Sequence, residues 1–272
     1  MLERFERSDS RAPETSHLLI EVLRRAFHDR AQFLGDSDFV PVPVERLTSK
    51  AYAVQRGAGI STAQSSPSEA LEHEPRAGGG NTTHFSVIDA AGNRVAATLT
   101  INLLFGSGIV AEGTGVLLNN EMDDFSVRFD VPNSFRLRGG TANAIAPGKR
   151  PLSSMTPTFV EDSKGVLVLG APGGSRIVSQ VLLTVLDYVR APAVDLAALV
   201  GAPRFHHQWW PDLVEMEPGG FPGEWRSALE SKGHHVEIAK RKWGNMQAVF
   251  KSKETGAVQA ASDPRGSDLG WY

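Results

Sequence analysis

The chain has 272 residues, long enough for one large domain or two small ones, and a formal net charge of −3 at pH 7. Its lack of cysteine excludes disulfides, thiolate metal sites and a cysteine nucleophile, and without a basic patch there is no case for nucleic-acid binding. No apolar run reaches the length of a membrane span, and residues 1–7 lack the apolar core of a signal peptide.

The N-terminal part of the sequence is predicted to be helical. Thr15 or Ser16 can cap a first helix, whose apolar residues follow helical spacing, and Gly35 can end it. Two prolines then exclude a continuation, and a shorter helix is predicted from Val44 to Gln55. Residues 61–81 hold Ser, Glu, Pro and Gly with almost no large apolar side chains, so we predict a mobile linker there.

Beyond the linker the pattern changes to strands. Predicted strands at residues 85–89 and 94–100 flank Ala90-Ala91-Gly92-Asn93, a hairpin signal, and strands at 157–161 and 166–169 flank a second turn. The other predicted strands are residues 115–118, 235–238, 247–250 and 258–262, and the other predicted helices are residues 175–189, 194–200 and 224–232. Hairpins and helices segregated along the chain favour an α+β layered domain over a βαβ array.

The junction between the linker and the first strand carries a candidate nucleophile. Gly78-Gly79-Gly80-Asn81 leads directly into Thr82 and Thr83. Glycine permits a contorted backbone, and a strand fixes the residue at its start. A threonine here can attack the peptide bond before it, and cleavage would leave Thr82 with a free α-amine beside its own hydroxyl, an activated nucleophile. The alternative is a plain loop entering a strand, since threonine is common at strand starts.

Three polar clusters downstream are further candidate sites, and each is alternatively an ordinary turn. Carboxylates and amides in residues 119–125 suit a substrate ammonium group; such a cluster could also bind a metal, but it lacks the glycine-containing spacing of an EF-hand. Ser153 and Ser154 can donate two hydroxyls to a carboxylate. Residues 170–176 open a helix whose N–H groups can stabilise an oxyanion. The adjacent His206-His207 pair is not predicted to bind a metal, because neighbouring side chains diverge.

The order of these motifs along the chain and their residue sequences resemble those of the γ-glutamyltranspeptidase family. The motifs are Asn81 to Val87, Leu118 to Phe125, Lys149 to Met155, Pro172 to Arg176 and Ala202 to Trp209. The resemblance runs from about the first helix to Tyr272. It implies an N-terminal-nucleophile hydrolase, a four-layer αββα sandwich matured by autocatalytic cleavage. A family precursor continues upstream of Met1, so the sandwich is expected to be incomplete at its N-terminal side.

The resemblance implies a role for each motif. Residues 1–60 would be the helical end of the large subunit, 61–81 the linker ending at the cleavage site, and 82–272 the small subunit. Cleavage would fall between Asn81 and Thr82, and the new α-amine of Thr82 would act as the base. The other implied site residues are Thr100 beside the nucleophile, Asn102, Glu121 and Asp124 at the donor's α-amino group, Ser153 and Ser154 at its α-carboxylate, Gly173 and Gly174 in the oxyanion hole, and Phe135 as the aromatic gate of a lid over residues 132–140.

The implied activity is γ-glutamyl transfer from glutathione or related amides to water, an amino acid or a peptide, through a γ-glutamyl-Thr82 ester. No cofactor or metal is expected, and the family's usual compartment is periplasmic or extracellular. One alternative is a cephalosporin or glutaryl acylase on the same frame, against which Glu121 and Asp124 argue. The other is a truncated, inactive remnant that needs a complementary chain, because the family arginine that clamps the α-carboxylate lies upstream of Met1.

Overall fold

The computed structural model describes residues 1–5, 9–68, 80–128 and 131–266. The chain divides into two compact units. Unit 1 comprises Met1–Gly78, Glu121–Ser153 and Phe205–Lys240, and unit 2 comprises Gly79–Asn120, Ser154–Arg204 and Arg241–Tyr272. Each unit contains helices and strands, which confirms the predicted α+β class. The predicted division at residue 82 concerns subunits after cleavage, a different partition, and it stays a prediction.

The elements of the described residues have these bounds. The helices are α1 (Pro13–Phe33), α2 (Val44–Thr48), α3 (Lys50–Gly57), α4 (Arg176–Arg190), α5 (Leu196–Gly201) and α6 (Gly223–Ser231), with 3-10 turns at Leu2–Arg4, Glu121–Asp124 and Thr141–Asn143. The strands are β1 (Gly80–Ile88), β2 (Arg94–Leu103), β3 (Thr158–Glu161), β4 (Gly165–Gly170), β5 (Phe205–His206), β6 (Val214–Met216), β7 (Val236–Ile238), β8 (Gln247–Ser252) and β9 (Val258–Ser262). Among the residues described, no helix is long and apolar enough to cross a membrane.

Helix α1 is the largest element of unit 1, and its start differs from the prediction. The N-cap is Ala12, not Thr15 or Ser16, and Pro13 occupies the first turn. Proline suits this position because its φ is already helical and its missing N–H would have no partner there. Ser16 is buried in the first turn, where it donates to Ser10 O (3.1 Å) and accepts from Trp225 Nε1 of α6 (3.0 Å).

The helix predicted from Val44 to Gln55 is two helices. Ser49 breaks the run with extended backbone angles, and its Oγ accepts the Tyr52 N–H at 3.1 Å, which caps α3. Serine competes well for a backbone N–H at such a position. The same unit contains the three-stranded sheet β5-β6-β7, in which β6 is antiparallel to β5 and parallel to β7.

Unit 2 is built on the antiparallel sheet β3-β4-β8-β9. Strand β4 is buried along its whole length, and its side chains join those of α4, α5 and β8 in one apolar core. The β1-β2 hairpin is a separate two-stranded sheet that contacts β4 and β8. Its turn confirms the predicted hairpin, since Asp89 Oδ1 accepts Asn93 N–H at 2.8 Å and Gly92 has φ +86°.

Two regions differ from the sequence predictions or lie outside the structure. The strand predicted at residues 115–118 is wrong, because Gly113 and Gly115 turn the chain with φ of +74° and +72° and leave an isolated bridge from Val110 to Leu117. Of the predicted linker, residues 69–79 lie outside the described residues. Residues 65–68 are hydrogen-bonded within unit 1, for example from Ser68 N to Asp212 Oδ2 (2.7 Å).

Candidate active site

Thr82 lies near the start of β1, where its hydroxyl has a defined partner. Thr82 pairs with Thr100 of β2, and Thr82 Oγ1 donates to Thr100 Oγ1 at 3.0 Å. Thr100 Oγ1 also accepts the backbone N–H of Asn102 at 2.8 Å. The strand pairing therefore holds the candidate nucleophile's oxygen in one direction. The side chain of Asn81 lies outside the described residues.

A β-bulge lies beside the predicted cleavage bond. Gly80 pairs with Leu103 and Thr82 with Thr100, so Ile101 and Asn102 together face the single residue Asn81. Asn102 has φ +71°, a left-handed conformation that few residues other than glycine adopt, though asparagine tolerates it. Bulges of this kind re-aim side chains beside active sites.

The Asn102 side chain is buried at 2% exposure and only partly hydrogen-bonded. Its Nδ2 donates to Asn120 O at 3.2 Å, while its Oδ1 has no partner among the described residues. An unpaired buried acceptor costs free energy, which a donor such as an ammonium group could offset. This amide is therefore suited to bind a cationic group.

The inner face of β1 is held by a chain of hydrogen bonds next to Thr82. His84, 4% exposed, makes hydrogen bonds to Thr98 Oγ1 (2.8 Å) and Ser86 Oγ (3.0 Å). Burial lowers the pKa of His84 to about 4, so the ring is neutral at physiological pH. The ring packs against Gly170 of β4, where an added Cβ would lie 2.3 Å from His84 Cε1.

Gly173 and Gly174 form the turn between β4 and α4. Their φ values are +133° and +59°, so both positions favour glycine. Arg176 N–H donates to Gly173 O and Ile177 N–H to Gly174 O, at 3.2 and 3.1 Å, which starts the helix. Gln180 Nε2 braces the turn from within α4 by donating to Pro172 O (2.9 Å). The turn is a defined, glycine-dependent structure at a helix N-terminus.

Glu121 and Asp124 lie together on one 3-10 turn of unit 1. Burial raises the pKa of Glu121. Asp124 is hydrogen-bonded through both its side chain and its backbone. Its Oδ1 accepts from Asn133 Nδ2 (3.4 Å), and its backbone carbonyl accepts from Asn143 Nδ2 (2.7 Å). The acidic cluster is thus a braced turn and not a freely solvated one.

The predicted lid is a tight loop in unit 1. Asn133 Oδ1 accepts the N–H groups of Phe135 and Leu137, both at 3.0 Å, and Arg136 between them has φ +61°. Gln208 Nε2 donates to Phe135 O at 2.9 Å. Phe135 therefore lies on a loop whose backbone is tied down on both sides.

The predicted site residues are divided between the units. Unit 2 contains Thr82, Thr100, Asn102, Ser154, Gly173 and Gly174, and unit 1 contains Glu121, Asp124, Phe135 and Ser153. Thr82, Thr100 and Asn102 form one hydrogen-bonded set. His206 and His207 bond different partners, Gln208 Oε1 and Asp212 Oδ1. In the described part of the chain no three His, Asp or Glu side chains are grouped to hold a metal.

Sequence reasoning missed Arg30, which contacts the predicted donor-binding residues. Arg30 Nη2 donates to Ser153 O at 3.3 Å, and Arg30 and Asp124 line the same small cavity. Burial lowers the pKa of Arg30 to about 10, and Asp124 acts in the opposite direction, so the guanidinium stays charged at neutral pH. Its helical position carried no signal of this, since its partner is 123 positions away.

Comparison with known proteins gives the family. The sequence model described as Gamma-glutamyltranspeptidase matches residues 1–270. The chain belongs to the γ-glutamyltranspeptidase family. It is 44% identical over 258 residues to the glutathione hydrolase proenzyme of Escherichia coli, covering 94% of this chain and 44% of that protein. It is also 44% identical to the glutathione hydrolase proenzyme of Pseudomonas aeruginosa, covering 93% of this chain and 45% of that one.

Solved γ-glutamyltranspeptidase structures match a shorter part of the chain. A chain of the Helicobacter pylori γ-glutamyltranspeptidase superposes with a TM-score of 0.64 at 42% identity, covering 68% of this chain and 100% of that one. The chain therefore spans a whole chain of a solved family member, but less than half the length of the two bacterial proenzymes.

Proposed function

We propose that this protein is a γ-glutamyl hydrolase and transferase that acts after cleavage between Asn81 and Thr82. The observation that carries the proposal is the hydrogen bond from Thr82 Oγ1 to Thr100 Oγ1 at 3.0 Å, at the start of a strand and beside a β-bulge. Membership of a family whose relatives are named glutathione hydrolase proenzymes supports both the substrate class and the maturation.

The cleavage step uses the hydroxyl of Thr82. Its Oγ1 attacks the carbonyl carbon of Asn81, the C–N bond breaks, and the hydroxyl proton passes to the departing nitrogen. Water then hydrolyses the resulting ester and leaves a carboxylate on Asn81 and a free α-amine on Thr82. The bulge at Ile101 and Asn102 supports this step, because it departs from regular strand geometry opposite the bond to be cut.

Catalysis then follows the N-terminal-threonine pattern. The α-amine takes the proton of Thr82 Oγ1, which attacks the γ-carbonyl carbon of the donor, and backbone N–H groups at Gly173 and Gly174 stabilise the oxyanion. The C–N bond breaks, the amine product leaves with a proton, and a γ-glutamyl ester remains on Thr82. Water completes hydrolysis, or the amine of an amino acid or peptide completes transfer.

Donor recognition is assigned to both charged groups of the glutamyl moiety. Asn102, Glu121 and Asp124 would bind the α-ammonium, and Ser153 and Ser154 the α-carboxylate. The unpaired buried Oδ1 of Asn102 supports the first assignment. The two carboxylates favour a γ-glutamyl donor over a glutaryl side chain, because the γ-glutamyl group carries an ammonium group and the glutaryl group carries none. The gate role of Phe135 rests on its place in the braced lid.

The β1-β2 hairpin supports the four-layer αββα sandwich and its incompleteness. One face of the hairpin contacts β4 and β8, while the other exposes Phe85, Val87, Val95 and Leu99, each 45–53% exposed. Isolated exposed apolar residues are normal, but a contiguous cross-strand set is suited to packing. We propose that a further sheet, contributed by a large subunit, covers this face. The bacterial relatives are long enough to contain such a sheet, because the chain covers only 44–45% of them. A periplasmic or extracellular location remains a prediction.

The cleavage is tested by intact mass after incubation of the purified chain. We expect two fragments that meet at Asn81 and Thr82, and none from Thr82→Ala. Thr83→Ala is the matched control, because Thr83 is the exposed neighbour on the opposite face of β1 and should cleave normally. An uncut wild-type chain would favour the inactive remnant or a required complementary chain.

The substrate class is tested on the cleaved protein with two anilides. We expect release from a γ-glutamyl anilide and at least tenfold less from a glutaryl anilide, which lacks the ammonium group. A preference for the glutaryl compound would favour an acylase, and cleaved protein that releases product from neither would contradict the proposed activity of this chain alone.

A further inference from the structure

Arg30 is bound to the segment that ends at Ser153. It lies in the last turn of α1, and its Nη2 donates to Ser153 O at 3.3 Å. The adjacent backbone reinforces this contact, because Gly140 N–H donates to Ala31 O at 2.7 Å. The end of α1 and residues 121–153 are thus joined by both a side chain and the backbone.

A second, charged connection lies just after α1. Arg150 binds Asp36 with two guanidinium hydrogen bonds, at 2.9 and 2.7 Å, and donates its backbone N–H to the same carboxylate at 2.8 Å. Such bidentate pairs fix geometry as well as adding attraction. Arg150 is three residues before Ser153. Its ion pair with Asp36 therefore ties the backbone that leads to Ser153 to the segment just after α1.

Asp124 also interacts with Arg30 through its charge. The two side chains line a cavity of about 20 Å³, together with Asn143 and Leu152. Asn143 connects the same groups, since its Nδ2 donates to Asp124 O (2.7 Å) and its Oδ1 accepts Leu152 N–H (3.0 Å). Arg30 therefore places a positive charge beside Asp124 and Ser153, which are proposed to bind the donor's ammonium and carboxylate, and Arg138 lines the same cavity.

We propose that Arg30 is a positioning residue that sets Ser153 relative to Asp124 and so determines how tightly the donor's α-carboxylate is bound. This inference rests on the proposed function. Arg30 acts through its partners: it holds the carbonyl of Ser153, so that the serine hydroxyl faces the site. It also balances the charge of Asp124, so that the carboxylate of the donor meets less repulsion there.

The test compares Arg30→Gln with the wild-type chain, using hydrolysis of a γ-glutamyl anilide and two competing ligands. L-glutamate carries both α groups, and 4-aminobutanoate lacks only the α-carboxylate. We expect Arg30→Gln to raise both KM and the inhibition constant of L-glutamate about tenfold, with kcat changed less than threefold. A tenfold change corresponds to the loss of one hydrogen bond to a charged group, here the α-carboxylate of the ligand. The inhibition constant of 4-aminobutanoate should stay within twofold.

Two further variants separate positioning from folding. Arg30→Lys keeps the cation and should recover part of the L-glutamate affinity. Arg46→Gln is the matched control, because Arg46 is an exposed arginine of the same unit that stacks on Phe33 and Tyr52. Thermal unfolding and the extent of cleavage at Thr82 should be alike in all four proteins.

The outcomes are distinguishable. Equal weakening of both ligands, or a loss of kcat alone, would overturn positioning of the carboxylate and leave the proposed function standing. If the wild-type chain releases no product, calorimetric titration with L-glutamate replaces the kinetic assay on the same proteins. Wild-type protein that neither hydrolyses the anilide nor binds L-glutamate would contradict the proposed function, and this inference with it.

Discussion

The hydrogen bonds at Thr100 show how one hydroxyl serves two groups. Thr100 Oγ1 accepts from Thr82 Oγ1 and from the Asn102 N–H, at 3.0 and 2.8 Å. The first bond orients the candidate nucleophile, and the second stabilises the left-handed backbone at Asn102. Both depend on an oxygen at residue 100, because no carbon can accept them.

We therefore expect Thr100→Val to slow the cleavage between Asn81 and Thr82 by roughly 10- to 100-fold. Valine leaves a buried N–H unpaired and no longer orients the Thr82 hydroxyl, at a cost of about 1–3 kcal/mol. Thr100→Ser keeps the oxygen and should cleave within a few-fold of the wild-type rate. The measurement is the fraction of cut chain over time by intact mass. Equal rates in the two variants would exclude a role for the hydroxyl.

A buried histidine pair in unit 1 fixes its own tautomers. His17 Nε2 lies 2.8 Å from Ser61 O, so it must donate, and His17 Nδ1 then accepts from His234 Nε2 at 2.7 Å. His234 Nδ1 is left without a partner in the described structure. Burial lowers the pKa of both rings, and burial together with the neighbouring His17 and Arg24 lowers the pKa of His234 to about 3. Both rings are therefore neutral at pH 7 in the folded protein.

This pair predicts acid sensitivity. Because the folded pKa is below the unfolded value near 6.5, the unfolded chain binds protons first, and stability falls as pH decreases from 6.5. His234→Gln keeps a donor for His17 but removes one titrating group. Its free energy of unfolding should therefore fall by about 1–2 kcal/mol less than that of the wild type between pH 7 and pH 5. His235→Gln, at the exposed next residue, is the control and should follow wild type. Urea unfolding at both pH values measures this, and identical pH dependence of all three would contradict it.

Comparison of the observed helices and strands with the predicted ones shows which structural features local sequence patterns encode. The β1-β2 and β3-β4 hairpins, α4, α5 and α6 follow local turn signals and apolar spacing, and they were predicted to within five residues, the largest difference being the start of β1 at Gly80 instead of residue 85. Strands β5 and β6 were missed because two or three residues carry no period. The first helix's cap was misplaced because Pro13 outweighed the serine and threonine behind it. In the site, the Thr82 and Thr100 pairing follows from the hairpin, whereas Arg30 depends on a distant partner that no local pattern encodes.

Close packing between β1 and β4 yields a stability prediction. A Cβ on Gly170 would lie 2.3–2.8 Å from three atoms of the His84 ring, and hydrogen bonds to Thr98 and Ser86 keep that ring from moving. We expect Gly170→Ala to reduce the free energy of unfolding by about 2–3 kcal/mol through overpacking. Gly223→Ala, which meets nothing within 4 Å at the start of α6, should be neutral or slightly stabilising.

The cause is checked with His84→Ala. Removing the ring should make the further cost of Gly170→Ala less than about 1 kcal/mol, since the two positions then no longer collide. Denaturant unfolding of the two single variants and the double variant gives the coupling. Additive losses would show that Gly170 is constrained by something other than the His84 ring.

At the scale of the whole molecule, the outer face of the β1-β2 hairpin is an apolar surface with a regular pattern. Val87 pairs directly with Val95, and Phe85 and Leu99 continue the same face. An exposed sheet face of this kind tends to associate when its partner is absent. The two bacterial relatives are more than twice the aligned length, since the chain covers 44–45% of them.

We therefore expect the isolated chain to self-associate, and the paired substitution Val87→Glu with Val95→Lys to reduce that association. The two new charges lie opposite each other across the hairpin and can attract, so β pairing should be preserved while the apolar face is interrupted. Analytical ultracentrifugation over a concentration series measures the change, and circular dichroism checks the fold. As a control, Val258→Lys places one charge on the exposed residue of β9, away from the hairpin face, and should leave self-association unchanged. A wild-type chain that is monomeric at all concentrations, or a paired variant that associates as strongly, would show that this face does not need a partner sheet.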